Sequence, residues 1–307
     1  MPRMPIPFGD DVSACPIGND RLAVLKTDML VAETDVPPGM TLWQAARKAV
    51  VMNISDFAAK GVKPCALLVS LGLPKKIVEK DVAELARGLN AAVREYGAFV
   101  IGGDTGEASD LIISVSLFGT ARRSDVMLRS GAKPGDLLAV TGLFGKTPAG
   151  LRILLCNAEV SEKTRKVLVE SVLLPHARMK EGLTLGRTKA VTAAIDSSDG
   201  LAWSLHEIAS ASNVGFLVDR LPMADEAKKF AKNNNIDPAE LVLYGGEEYE
   251  IVLTVKPPLW NATEKAVANE GGRLTRIGRA TTEKSVLLET QSMKRIIEPR
   301  GYEHFRT

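Results

Sequence analysis

Strand and helix signals alternate along nearly the whole chain, and one polar, turn-rich stretch from Arg122 to Gly135 interrupts them. Before it, Leu22 to Lys26 is a short apolar run, and Cys65 to Leu71, Phe99 to Ile101 and Leu111 to Thr120 read as strands. Thr41 with Gln44 three residues on is a capping-box pattern. Apolar residues at Leu42, Ala45, Ala46, Ala49, Val50, Ile54, Phe57 and Ala58 then keep helical spacing as far as Gly61. Asp81 to Tyr96 reads as a second amphipathic helix ended by Gly97. After the break the pattern restarts with a strand at Leu137 to Thr141, helices between Thr147 and Arg187, and a strand from Val191 to Ile195. A helix from Leu201, strands at Phe216 to Val218 and Tyr249 to Val255, and shorter elements follow. At 307 residues the chain has length for two α+β units, and the break is the expected boundary.

Charge narrows the function classes. Net charge is +2 from 39 basic and 37 acidic residues, so no strong field points to nucleic acid or anionic lipid, and neither partner is expected. No apolar run approaches the ~20 residues of a membrane span. The N-terminus carries prolines where a signal peptide would have its apolar core. Cys15, Cys65 and Cys156 are far apart and form no CxxC pair, which favours a reducing compartment, the cytoplasm by default, over a zinc site or disulfide framework.

The aspartates carry the chemistry. Asp10-Asp11 follow Gly9, Asp28 closes the first strand, Asp104 follows Gly102-Gly103, and Asp196 and Asp199 follow another apolar strand. A lone ionised carboxylate at the end of an apolar strand is costly to desolvate, whereas a group of them neutralised by hard cations such as Mg²⁺ is reasonable. Each taken singly is also an ordinary turn or cap residue. Asp56 is different: it lies mid-helix among apolar residues with Asn53 on the same face, where capping gives it nothing and a partner is needed. Gly102-Gly103, Gly142 with Gly145, and Gly245-Gly246 adjoin strands, where glycine lets the backbone approach a phosphate closely, although tight turns use glycine too. Gly145-Lys146-Thr147 is no P-loop, because the pattern needs glycine where Val140 stands, and Pro148 reads as a helix start. His176, His206 and His304 stand in unrelated contexts, and no GxSxG elbow supports a nucleophile triad.

Eight blocks in order resemble the thiamine-monophosphate kinase family, within the superfamily of aminoimidazole-ribonucleotide synthetase. They are Phe8-Gly9-Asp10-Asp11, Thr27-Asp28-Met29-Leu30, Asn53-Ile54-Ser55-Asp56, Ile101-Gly102-Gly103-Asp104-Thr105, Arg129-Ser130-Gly131-Ala132 through Gly135-Asp136, Thr141-Gly142 to Gly150-Leu151, Asp196-Ser197-Ser198-Asp199-Gly200-Leu201 and Gly245-Gly246-Glu247-Glu248-Tyr249. The resemblance implies two α+β domains, 1–122 for Mg²⁺ and ATP binding and dimerisation and 123–307 completing the phosphate and substrate site. It implies a homodimer whose N-terminal sheets join into a barrel, with active sites in clefts between the domains. By the same match Asp11, Thr27, Asp28, Asp56, Asp104, Asp196 and Asp199 bind Mg²⁺. Tyr96, Gly103, Asp104, Arg129 and Ser198 contact ATP, and Asp35, Glu247 and Tyr302 contact the thiamine moiety. Asp35 stands where many bacterial members have histidine, and Tyr302 where some have tryptophan. The implied reaction takes phosphate from ATP to thiamine monophosphate, with Asp56 as a shared metal ligand and Arg129 as a fixed cation on ATP. A sister ATP-using synthetase and a non-catalytic nucleotide- or thiamine-diphosphate-binding protein are the alternatives. A selenophosphate synthetase would carry its reactive cysteine before Gly9, whereas Cys15 lies after it.

Overall fold

The computed structural model describes residues 4–156, 158–290 and 293–302. The first half holds β1 (Ser13–Pro16), β2 (Arg21–Val31), α1 (Ala32–Asp35), α2 (Leu42–Lys60), β3 (Lys63–Leu73), α3 (Glu79–Tyr96), β4 (Phe99–Glu107) and β5 (Ile112–Arg122). Its five strands form one sheet in the order β1-β2-β5-β3-β4. Only β3 and β4 run parallel, joined by the α3 crossover; the other pairings are antiparallel.

The second half holds β6 (Leu137–Val140), α4 (Lys146–Cys156), α5 (Glu162–Leu173), α6 (Met179–Thr188), β7 (Val191–Asp196), α7 (Leu201–Ser212), β8 (Gly215–Val218), α8 (Asp225–Asn233), α9 (Pro238–Tyr244), β9 (Ile251–Val255), α10 (Trp260–Asn269), β10 (Thr275–Thr281), β11 (Val286–Glu289) and β12 (Lys294–Ile296). Its strands form a second sheet, β12-β11-β8-β10-β6-β9-β7. No strand is shared between the sheets, so the α+β reading in two halves is what the chain adopts.

The element that joins the halves is α2. Thr41 caps it with the full reciprocal box, its side chain accepting from Gln44 N while Gln44 Oε1 accepts from Thr41 N. Gly61, left-handed at φ 67°, ends it. From Ala45 onward every residue but Met52 is buried, because β2 and β5 cover one side and α6 and β7 the other. One continuous apolar core therefore runs from Val24, Ile54 and Val115 to Ala194, Ile251 and Leu253.

The first sheet is open, with β1 and β4 at its edges. Inward residues of β2 pack on α2, whereas Leu25, Met29, Leu68, Phe99, Ile101 and Phe118 are exposed. All nine residues of β4 are exposed. Among the described residues no helix is long and apolar enough to cross a membrane.

Candidate active site

A helix enclosed on all sides should be apolar throughout. Instead α2 buries Arg47, Lys48, Asn53, Ser55, Asp56 and Lys60, and all but Asn53 reach partners beyond the helix. Arg47 pairs with Glu95 at 2.8 Å, binding α2 to α3. Lys48 donates to the Asp35 carbonyl at 2.8 Å and pairs with Glu247. Lys60 donates to the Ala194 carbonyl at 2.6 Å and reaches Asp10 Oδ1 at 2.7 Å and Asp11 Oδ2 at 2.8 Å. These contacts pin five separate segments to one helix.

Asp11, Asp56 and Asp196 converge, their carboxylate oxygens lying within 4.8 Å of one another, and all three are buried. Each comes from a different place: the loop before β1, the middle of α2 and the end of β7. Asp28 joins through Lys26, whose Nζ lies 3.2 Å from Asp28 Oδ2 and 2.9 Å from Asp56 Oδ2. Ser55 donates to Asp196 Oδ2 at 2.8 Å. Arg129 closes the far side, its Nε donating to Asp11 Oδ1 at 2.6 Å and its Nη1 to Glu207 Oε2 at 2.8 Å.

Burial first, and then the neighbouring Asp196 charge, raises the Asp56 carboxyl well above its usual range, against the pull of Lys26. Burial and the charge on Asp11 push Asp196 up to about 7. Burial alone would lower the Lys26 ammonium, but Asp56 and Asp28 more than offset this and hold it raised. Five carboxylates, Asp10, Asp11, Asp28, Asp56 and Asp196, face three basic groups, Lys26, Lys60 and Arg129, so the cluster carries excess negative charge once Asp56 and Asp196 are ionised. Asp11 Oδ2 is buried without a hydrogen bond, Lys60 lying close but misdirected. All-oxygen donors, surplus negative charge and an orphaned buried carboxylate oxygen fit a hard divalent cation such as Mg²⁺.

A cavity of about 440 Å³ adjoins the cluster. Asp35, Lys48, Met52, Leu151, Leu155, Ser198, Asp199, Glu247, Tyr249 and Tyr302 line it. Lys48, Met52 and Asp56 succeed one another at four-residue steps, so one stripe of α2 runs from the cavity into the carboxylates. The β7–α7 turn does the same, with Asp196 in the cluster and Ser198-Asp199 in the cavity wall. Segment 246–249 is drawn against that turn, Glu247 N donating to Ser198 O at 2.6 Å and Tyr249 N to Ser197 O at 3.0 Å. A Cβ on Gly246 would stand 2.6 Å from Ser198 O, so only glycine allows this approach. Glu247 and Tyr249 both hold left-handed backbones, φ 61° and 52°.

The structure thus groups Asp11, Asp28, Asp56 and Asp196 in one cluster, and Asp35, Ser198, Asp199, Glu247 and Tyr302 in the adjoining cavity. It does not bring Thr27 and Asp104 to the cluster of their own chain. Strand alternation turns Thr27 to the sheet face opposite Asp28, where Ser116 Oγ donates to its hydroxyl at 3.2 Å. Asp104 pairs with Ser70 and lies on that same outer face, three strand spacings, about 14 Å, from β2. Tyr96 and Gly103 stand outside the cavity lining. The Tyr96 hydroxyl accepts from Ala177 N at 3.0 Å, and burial pushes it up to about 12.

Several glycines read as phosphate approaches have protein in the space a side chain would take. A Cβ on Gly142 would meet the Glu250 carboxylate at 2.1 Å, and one on Gly103 the Val69 carbonyl at 1.8 Å. The N-terminus of α4 is likewise occupied: Gly145 N donates to Glu248, a half-buried residue whose carboxyl is pushed up to about 8, first by desolvation. His206 Nε2 donates to the Ile297 carbonyl at 2.8 Å, a packing role, while His304 lies outside the described residues. All three cysteines are free thiols.

The basic residues of the site, Lys26, Lys48 and Lys60, were not singled out from the sequence. Their signal was present: Lys26 interrupts the inward apolar register of β2, and Lys48 and Lys60 interrupt that of α2.

Comparison with known proteins agrees with this geometry. Residues 9–121 match the AIR synthase related protein N-terminal domain, and residues 133–289 its C-terminal domain. The chain is 37% identical over 283 residues to a thiamine-monophosphate kinase of Nitrosopumilus maritimus, covering 92% of this chain and 89% of that one. It is 35% identical over 267 residues to the thiamine-monophosphate kinase of Bacillus subtilis, covering 84% and 80%. The solved structure of AaThiL complexed with AMPPCP and TMP superposes with a TM-score of 0.86 at 29% identity, covering 97% of this chain and 92% of that one. With both domain models matched in order and identity of this level along nearly the full length, the chain belongs to the thiamine-monophosphate kinase family.

Proposed function

We propose that this chain transfers the γ-phosphoryl group of ATP to thiamine monophosphate, giving ADP and thiamine diphosphate. The observation that carries the reading is the continuity of the buried carboxylate cluster with the half-apolar cavity along one face of α2. The cavity suits the substrate: Asp35 and Glu247 offer negative charge to a cationic thiazolium and an aminopyrimidine, while Met52, Leu151, Leu155, Tyr249 and Tyr302 offer apolar contact.

The acceptor is already a phosphate oxyanion, so its attack on the γ-phosphorus needs no protein base. The P–O bond to ADP breaks as the new one forms. The chain's task is to bring two polyanions into line and hold their charge. Asp11, Asp28, Asp56 and Asp196 would hold Mg²⁺, which when bound supplies charge neutralisation and orientation of the phosphates. Asp199, next to this cluster, completes the proposed set from the cavity side. Arg129 fixes the Asp11 loop and adds a cation toward ATP phosphates, with Ser198 at the junction of cluster and cavity.

A homodimer with the outer faces of two N-terminal sheets joined into a barrel would cover Leu25, Leu68, Phe99, Ile101 and Phe118 and remove the β4 edge. In that assembly Asp104, Thr27, Gly103 and Tyr96 act toward metal or ATP across the dimer, since Asp104 is distant from its own chain's cluster. The division at 122/123 follows the end of β5, and ATP chemistry with free thiols suits the cytoplasm.

The test is direct. Purified protein incubated with Mg-ATP and thiamine monophosphate should form thiamine diphosphate one-for-one with ADP, measured by fluorescence after oxidation to thiochrome, and EDTA should abolish it. ADP without thiamine diphosphate would assign the site to another acceptor, and diphosphate binding without turnover to a binding role.

A further inference from the structure

Leu22, Val24, Lys26, Asp28 and Leu30 alternate onto the face of β2 that packs on α2. A lysine in that register must be held by something. Its Nζ sits 2.9 Å from Asp56 Oδ2 and 3.2 Å from Asp28 Oδ2, with the side chain 18% exposed. Among the described residues no other basic group lies within 4.0 Å of either carboxylate. Lys60 and Arg129 serve Asp10 and Asp11 on the opposite side, so the two flanks of the cluster carry separate cations. Asp196 accepts from the Ser55 hydroxyl and lies beside the carboxylates of Asp11 and Asp56.

We infer that Lys26 is a built-in cation of the carboxylate cluster, bridging Asp28 and Asp56 in the place of one divalent ion and so setting how many ions the site takes up. The inference rests on the reading that the cluster holds divalent metal. A two-oxygen bridge by an ammonium does what a metal bridge does electrostatically, but it comes covalently attached and cannot be removed by a chelator. The remaining oxygens, those of Asp11 and Asp196 with the free edges of Asp28 and Asp56, stay open to exchangeable ions. Lys26 is a positioning residue here, acting through Asp28 and Asp56 rather than on substrate.

Two variants test this, Lys26→Met, which keeps the stem and removes the charge, and Lys26→Gln, which keeps a hydrogen-bond donor if the first does not fold. Each is titrated with Mn²⁺ alone, free ion being counted by electron paramagnetic resonance, and melted in EDTA and in excess Mn²⁺. The expected result is one more Mn²⁺ per protomer than wild type, or the same number with one site about tenfold tighter, as removal of a nearby unit charge implies. The variants should also melt below wild type in EDTA and regain the difference in Mn²⁺. Unchanged number and affinity, or weaker Mn²⁺ binding, would overturn the role of Lys26 while leaving the metal site standing. No Mn²⁺ binding by wild type or variants would instead remove the metal reading on which the inference depends.

Discussion

Asp56 and Asp196 are two buried carboxyls whose proton affinity is raised first by burial and then by a neighbouring carboxylate, Asp196 acting on Asp56 and Asp11 on Asp196. A carboxyl raised in the folded state binds more protons there than in the unfolded chain. Its contribution to stability is fully present below its ordinary pKa and is lost as pH rises through the folded value, about 7 for Asp196. The metal-free protein should therefore melt progressively lower between about pH 4 and pH 7. Divalent metal binds the ionised carboxylates, so Mg²⁺ should raise the melting temperature little at pH 5 and by several degrees at pH 8. Calorimetry at both pH values with and without Mg²⁺ checks this, and a Mg²⁺ effect independent of pH would contradict it. At this scale Asp56 was legible, because a carboxylate in a helix interior without a cap role requires a partner. Lys26, Lys48 and Lys60 were not, because single charges in apolar runs read as solvated stripes until the partner strand or helix is known. The packing demand on Gly142 was hidden for the same reason: only the fold shows that Glu250 fills the space a side chain would take.

Among the elements, α2 and the 246–249 segment do the positioning. The box at Thr41 and Gln44 and the stop at Gly61 were local in sequence and were read to the residue. The strands were found but read short. β2 extends to Val31 and β4 to Glu107, because polar residues such as Asp28 and Asp104 end an apolar run without ending a ladder. β1, α1, α9 and β12 were missed. Four residues, SACP, carry no alternation of note, and β1 exists through pairing with β2. The approach of Gly246 to Ser198 gives a test at this scale. Gly246→Ala must displace either segment 246–249 or the β7–α7 turn, at a cost of about 1–3 kcal/mol. We expect a lowered melting temperature and a raised KM for thiamine monophosphate, with the KM for ATP changed less. Unchanged steady-state kinetics would show that the turn does not shape the cavity.

For the whole molecule, the α+β plan in two halves was legible from the alternation of elements. The first sheet is open in the single chain, and a closed barrel belongs to the proposed dimer, implied by the family resemblance and not by the alternation of elements. The outer face of the first sheet makes the dimer testable, because Asp104 is remote from Asp56 in one chain. If Asp104 acts across the dimer, Asp56→Asn and Asp104→Asn are each inactive alone, yet a mixed dimer contains one site with neither change. Re-association of equal amounts should restore about a quarter of wild-type activity, one intact site in half of the dimers. Activity that stays at zero after verified mixing would place Asp104 and Asp56 in the same chain's site, whereas an active Asp104→Asn would remove Asp104 from it. The most direct test of the account is the turnover of Asp56→Asn at saturating Mg²⁺. The substitution preserves shape, and the account predicts a folded protein with kcat lowered at least about a hundredfold, as loss of a metal-positioning carboxylate implies. A near-normal kcat would show that the buried carboxylates do not run the phosphoryl transfer.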